Sequence, residues 1–375
     1  MSRGFPKIIF IFCNFFSLRI LPKGIDDCAV LSYNIKKIKN SADYTLKMTI
    51  KEIAEQLNIS ISTVSKALNG ATDVSESKRK LILDYAEKVG YAVRRKPQEN
   101  RRICLLFESF DSENRNEMIN SVMLSFNKYA SSHGYEVVHD SVDSKPEDFD
   151  LAEYFLQNNF SAAFIVGINS HSRIFRQLVN SPIPIVLLDN HVPNAKNIAT
   201  VSSDNISAIE AAVYYLNDMG HEKIGFVAGE RESLVSAERL AGYILGMARR
   251  GLDVNGNSLI YGNFTRESGR AAAEHYKDKD FTAVICCSDY MAIGLIDGLT
   301  KAGRRVPDDI SVTGFDDLEF LKFTNYNLTT IKQDFDRMGK AAFRLLVDML
   351  DGHGARRTVL ECQLIERGTV KKICK

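Results

Sequence analysis

Between residues 49 and 91 apolar side chains recur every three or four positions, in three short runs separated by polar breaks. Ile50, Ile53, Ala54 and Leu57 fall on one helical face, and Thr49-Ile50-Lys51-Glu52 has the form of a capping box that starts that helix. Asn58-Ile59-Ser60 offers a turn and a new cap, so a second helix over 61–68 follows at once with Val64, Ala67 and Leu68 inward. Its outward residues, Ser62, Thr63, Ser65 and Lys66, are rich in hydrogen-bonding groups and small in bulk. Asn69-Gly70 ends it. Ser75 is placed to cap a third helix with a stripe of Leu81, Ile82, Tyr85, Ala86 and Val89, which Gly90 stops.

Beyond residue 102 the period changes. Near-continuous apolar runs at 103–107, 135–138, 162–166 and 185–188 predict strands, and the stretches between them predict helices over 117–133, 149–158 and 173–179. The plan then repeats. Helices are predicted over 205–219, 238–249 and 289–302, and strands over 223–228, 281–286, 310–314 and finally 359–365. This alternation calls for an α/β body of two doubly wound parallel-sheet lobes, preceded by a small all-α helix-turn-helix headpiece. The divisions are a headpiece over 48–91, a polar, basic linker over 92–102 and a body over 103–375. Within the body, lobe 1 takes about 103–201 and 331–350, and lobe 2 about 204–317 and 359–370.

Charge sharpens the picture. Residues 48–102 hold eleven Lys/Arg against seven Asp/Glu, whereas 103–375 come to a net −8. A basic head on an acidic body suits a polyanionic partner, and the second of two tightly joined helices is the one that enters a DNA major groove. A bare protein-interaction module is the plainer alternative for such a bundle. Residues 1–47 stand apart: the apolar run 8–16 is too short to span a bilayer, no clean small-residue cleavage site follows it, and Met48 directly precedes the headpiece. The stretch reads as translated upstream sequence or a disordered tail.

The seven cysteines are odd in number and include no C-x-x-C, which points to reduced packing thiols in the cytoplasm and to no zinc site or disulfide frame. The sequence holds no G-x-S-x-G, Walker loop, H-E-x-x-H or G-x-G-x-x-G, so an enzyme is not expected, nor a cofactor. His221, in a turn before a strand, reads as a structural hydrogen-bonder. In tandem doubly wound lobes, ligand crevices lie at the carboxyl ends of the strands and face one another. Asp189 and Asp316 sit just past strand ends, Arg239 near the start of a helix and Phe264 in an otherwise polar loop. Two acceptors, a fork donor and a flat apolar face are what a ring bearing vicinal hydroxyls requires. Taken one at a time, each charged residue is as readily a surface ion pair, and Phe264 a core plug.

The wording of the chain goes further. Thr49 to Ala54, then Ile59-Ser60-Ile61-Ser62-Thr63-Val64-Ser65-Lys66-Ala67-Leu68-Asn69, Val74-Ser75 and Gly90-Tyr91 closely resemble the DNA-binding headpiece of the lactose/galactose repressor family of bacterial transcription regulators. In the body, Gly220-His221-Glu222-Lys223-Ile224-Gly225, Ser288-Asp289-Tyr290-Met291-Ala292-Ile293-Gly294 and Gly314-Phe315-Asp316-Asp317 continue the resemblance, which covers 48–370. It implies a periplasmic-binding-protein-like body crossed three times by the chain, with crossings expected near 201–204, 318–330 and 351–358. It implies base contacts at Ile61, Ser62 and Lys66, and phosphate contacts at Thr49, Ser60, Thr63, Ser65, Asn69, Ser75 and Tyr91.

The resemblance also points to Asp189, Arg239, Phe264 and Asp316 for the effector, with Ser288 where a ligand-contacting Asn is common. The partners implied are double-stranded DNA with a pseudo-palindromic operator, a small-molecule effector and a second copy of the chain. A sugar or sugar phosphate is the commonest effector class, a purine the runner-up. A solute-binding receptor built on the body alone is the rival reading, against which the headpiece counts. The chain stops soon after its last predicted strand with no heptad tail, so a dimer is the expected limit. Two departures stand out. The Asn-Pro-Phe-Phe usual after the first strand is replaced by Asn114-Arg115-Asn116-Glu117, which leaves Phe107 and Ser109 as guesses for first-lobe contacts. The hinge positions that usually hold Pro, Asn, Ala and Leu hold Val93, Arg94, Pro97 and Asn100, so no minor-groove wedge is expected.

Overall fold

The computed structural model describes residues 49–68, 74–89, 101–108, 116–193 and 195–373. The headpiece and the body are separate compact units. In the headpiece, α1 (Ile50–Leu57), α2 (Ile61–Leu68) and α3 (Glu76–Lys88) bury Ile53, Ala54, Val64, Ala67, Leu68, Ile82 and Ala86 against one another. Leu81 leaves the expected stripe and is 53% exposed. Helical geometry turns it about 100° from Ile82, and so small a bundle has nothing to cover it there.

The body contains two six-stranded sheets. Lobe 1 has β1 (Arg102–Phe107), β2 (Glu136–Ser141), β3 (Ala162–Val166), β4 (Ile185–Leu188), β5 (Ile198–Ser203) and β11 (Arg357–Leu360), all parallel, in the order β11-β5-β4-β3-β1-β2. Lobe 2 has β6 (Ile224–Ala228), β7 (Leu259–Tyr261), β8 (Ala283–Cys286), β9 (Ser311–Asp316), β10 (Thr329–Lys332) and β12 (Gln363–Ile365), in the order β12-β10-β9-β8-β6-β7, with β12 antiparallel. Strands β3, β4, β6 and β8 are buried at every position, as strands covered on both faces must be.

In lobe 1, α4 (Asn116–Ser132) and α10 (Phe335–Leu350) supply one core and α5 (Leu151–Gln157) the other. Lobe 2 is wrapped by α6 (Asn205–Asp218), α7 (Leu234–Arg249), α8 (Arg266–Tyr276) and α9 (Asp289–Lys301). Helices α8 and α9 touch along their backbones: a Cβ at Gly294 would lie 1.9 Å from the Arg266 carbonyl oxygen, so no larger residue fits.

Several expected elements shift. The helix over 173–179 is absent. That stretch is a series of turns ending in a 3-10 turn at Leu178–Asn180, and Arg173 donates instead to the carbonyls of Val142, Lys145 and Pro146. Strand β5 lies where only a crossing was expected. The apolar run 359–365 is not one strand; β11 and β12 belong to different lobes, and the chain crosses between them at Glu361-Cys362. The other crossings fall at Asp204 and Gln333-Asp334. The second and third therefore lie later than expected, and the whole of β10, including Ile331 and Lys332, joins lobe 2. The turn between α7 and β8 holds two unexpected elements, β7 and α8. Among the described residues no helix is long and apolar enough to cross a membrane.

Candidate ligand cleft and nucleic-acid interface

Helix α1 begins with the capping box: the Thr49 amide donates to Glu52 Oε2 at 2.6 Å, and the Glu52 amide to Thr49 Oγ1 at 3.3 Å. The Thr49 amide and hydroxyl, both donating to the Glu52 carboxylate, hold it below its usual range. Asn58 closes α1 in the left-handed conformation at φ 52°, which lets Ser60 open α2 two residues later. The Thr63 amide donates to Ser60 Oγ at 3.1 Å, and the hydroxyls of Ser60 and Thr63 lie 2.7 Å apart.

With Val64, Ala67 and Leu68 turned inward, α2 presents Ile61, 51% exposed, together with Ser62 and Lys66, and Thr63 and Ser65 are half-buried beside them. Thr49, Ser60 and Ser75 are also exposed. The Thr49 hydroxyl donates to Glu52 Oε2 at 2.9 Å, so a phosphate taking that proton would have to displace a carboxylate. Asn69 and Tyr91, the linker positions 92–100, Ser109 and Asn114-Arg115 lie outside the described residues.

In the body, a cavity of about 140 Å³ opens between the lobes. Asp189, Arg239, Phe264, Ser288 and Asp316 all line it. Asp189 follows β4 in the left-handed region at φ 54°, and its buried Oδ1 has no hydrogen-bond partner. Burial pushes its carboxyl up to about 7, opposed by the Arg239 charge. Arg239 is 3% exposed. Its Nε donates to Asn205 Oδ1 at 2.9 Å and its Nη1 to the Cys287 carbonyl at 2.5 Å, while the guanidinium carbon stands 3.6 Å from the Phe315 ring centre.

Asp316 ends β9, 8% exposed, with Oδ1 3.9 Å from Arg239 Nη1 and accepting from Gln333 Nε2 at 2.7 Å. Burial raises it to about 6, again opposed by Arg239. Asp316 and Asp317 both have positive φ, 121° and 57°, a strained pair costing on the order of 1–3 kcal/mol each. Phe264, at φ 65°, packs so closely on Gly229 that a Cβ there would meet its ring at 2.0 Å. It is both a plug against the lobe 2 core and a cavity wall. Ser288 caps α9, accepting from the Met291 amide and donating to the Phe264 carbonyl, so its hydroxyl is committed within the fold.

Other lining residues were not anticipated: Gly167 and Asn169 after β3, Glu230 after β6, Tyr290 on α9, and Met118 and Ile119 on α4. The strand-end rule that found Asp189 finds Asn169 and Glu230 equally well. Gly167, at φ 74°, has no space for a Cβ, which would meet the Glu108 carbonyl oxygen at 2.5 Å. Tyr290 stacks on Phe320 at 4.7 Å. Phe107 packs against the lobe 1 core instead of lining the cavity. Asp289, fully buried behind the cavity, accepts from Thr330 Oγ1 at 2.5 Å and from the Leu318 amide at 3.0 Å; burial and the nearby Asp316 push its carboxyl well up.

His221 is buried between Thr282 Oγ1 and the Lys371 carbonyl, at 3.0 and 3.1 Å, and burial lowers its pKa. The thiols of Cys104, Cys286 and Cys287 are free and buried in the cores, and Cys362 is free and half-buried.

Residues 49–93 match the family described as "Bacterial regulatory proteins, lacI family", and residues 213–370 match the "Periplasmic binding protein-like domain". The chain is 30% identical over 336 residues to the HTH-type transcriptional repressor CytR of Escherichia coli (strain K12), covering 87% of this chain and 97% of that one. It is 30% identical over 341 residues to the repressor PurR of Vibrio campbellii, covering 87% and 99%. Among solved structures, a transcriptional regulator CelR–cellobiose complex superposes with TM-score 0.65 at 26% identity, over 86% of this chain and 99% of that one. A lac repressor dimer bound to operator and an anti-inducer superposes with TM-score 0.63 at 23% identity, over 86% and 99%, a likeness of fold.

Proposed function

The chain belongs to the lacI family of bacterial regulatory proteins and is a DNA-binding transcriptional regulator, not an enzyme; from that premise we propose a cytoplasmic repressor whose grip on a pseudo-palindromic operator is set by a small ligand held between the lobes. One observation carries the cleft assignment: a single cavity gathers Asp189 from lobe 1 with Arg239, Phe264 and Asp316 from lobe 2. A molecule touching both lobes favours one relative placement of them, and it shifts the equilibrium only by its difference in affinity for the two states. The ligand class this wall suits is a sugar or sugar derivative, whose hydroxyls meet the carboxylates and guanidinium and whose ring faces Phe264. The solved CelR–cellobiose complex, which this chain resembles, supports that class.

On the DNA side, Ile61, Ser62 and Lys66 are assigned to base edges, Ile61 offering only apolar contact such as a thymine methyl. Thr49, Ser60, Thr63, Ser65, Asn69, Ser75 and Tyr91 are assigned to phosphates. Two copies are required because one headpiece reads only a few base pairs, and two-fold symmetry doubles both contact area and site length.

Asp316→Ala tests the proposal. It should bind the operator as the wild type does and lose the effector response, a coupling of about 1–3 kcal/mol. A variant that still responds would sink the cleft assignment.

A further inference from the structure

Arg239 is the only cation among the described residues lining the cavity, and the protein already takes two of its five N–H donors. Asn205 holds Nε, the Cys287 carbonyl holds Nη1, and one face lies on Phe315. Only Nη2 makes no hydrogen bond within the described residues.

Against that single charge stand three lining carboxylates from three strand ends: Asp189 after β4, Glu230 after β6 and Asp316 at the end of β9. Around them, Asp289 on α9 is fully buried, Glu238 on α7 pairs with Arg357 at 2.5 Å, Asp317 pairs with Arg367 at 2.6 Å, and Glu117 on α4 accepts the Glu319 amide at 2.6 Å. The neighbouring cations are therefore matched to carboxylates of their own. Asp189 Oδ1 remains a buried acceptor with no donor, and in a folded protein such a group calls for a partner.

We propose, resting on the assignment of this cavity to the effector, that it takes an uncharged ligand rich in hydroxyl or N–H donors and turns away the phosphate esters of the same compounds. A phosphate brings up to two negative charges and acceptor oxygens to a wall already rich in both. Juxtaposing like charges in a desolvated site lowers affinity on the order of a hundredfold or more. A hydroxyl or N–H gives Asp189 its missing donor and adds no charge.

Burial leaves Asp189 at about 7 and Asp316 at about 6, so the wall carries the full charge of both only above about pH 7. Each folded-state value lies above the unfolded one near 3.9, so the folded protein holds these protons more tightly. The stability they contribute is fully present below about pH 4 and is lost as pH rises through 6 to 7.

Two measurements on the full chain decide the matter. Thermal-shift and calorimetric titrations would set glucose, cellobiose and adenosine beside their phosphate esters, with inorganic phosphate alone as a further probe. An uncharged member binding about a hundredfold or more tighter than its ester supports the proposal; an ester, or phosphate itself, binding as well or better overturns it. A probe whose binding survives Asp316→Ala would sink the cleft assignment, and the second measurement still judges the charge balance. That second measurement needs no ligand: the contribution of these carboxyls to wild-type stability should fall between about pH 4 and 7, and Asp189→Asn and Asp316→Asn should each flatten the fall. Slopes identical to wild type in both variants would show that the cavity wall leaves neither carboxyl perturbed, with its charge already balanced, and would overturn the proposal.

Discussion

Lys66 and Ser62 stand on the exposed side of α2 because Val64, Ala67 and Leu68 claim the other side for the core, and a helix has no third choice. Lys66→Ala should remove discrimination worth about 1–3 kcal/mol at one base pair, whereas Thr63→Ala should weaken binding to every sequence alike. Binding-site selection with the purified variants checks this, and an unchanged consensus for Lys66→Ala would remove the base-edge role. The same local logic made Asp189 and Asp316 legible in the sequence: each follows an apolar run recognisable as a buried strand, and the ends of such strands face the cleft. Glu230 and Asn169 obey that rule too, but in sequence a lone Glu or Asn after a strand is indistinguishable from a solvated loop residue. The commitment of the Ser288 hydroxyl to Phe264 and Met291 could not be read in advance, for it depends on where a loop 24 residues earlier comes to rest.

Helix starts were the most legible elements, since a cap and its partner lie three residues apart and need no tertiary contact. The capping box at Thr49 predicts that Thr49→Ala costs about 0.5–2 kcal/mol of headpiece stability, measured by thermal unfolding of the variant. A cost near zero would mean that tertiary packing alone holds α1. Strand β5 was illegible for the opposite reason: Thr200, Ser202 and Ser203 break its apolar run, yet all three are buried between β4 and β11. The turns at 173–179 misled because Ile174 and Leu178 have helical spacing and are buried, while Arg173 ties the chain to the loop at 142–146. Asn100 offers no apolar wedge to hold a base step open, so circular-permutation gel shifts should show little bending at the operator centre. A strong central kink that Asn100→Ala abolishes would show that the linker is a hinge wedge after all.

At the scale of the whole molecule, the proposed two-fold operator and the short reach of one headpiece predict a homodimer in sedimentation and footprints spanning two half-sites. A stable tetramer, or protection of single asymmetric half-sites, would overturn that. The division into two lobes was legible in the alternation of strand and helix, but two of the three crossings were misplaced, because a crossing two residues long leaves no compositional mark. Its position has a consequence for synthesis. Strand β11, which covers the edge of β5, ends 157 residues after β5 does, at Leu360 against Ser203. At roughly 5–20 residues per second, a ribosome needs about 8–30 s to cover that distance, during which the β5 edge has no neighbour on that side. The headpiece can fold once its three helices are made, whereas lobe 1 waits for β11 and lobe 2 for β12. The nascent body therefore exposes the β5 edge through that interval, and its yield should respond to translation rate more than that of the headpiece.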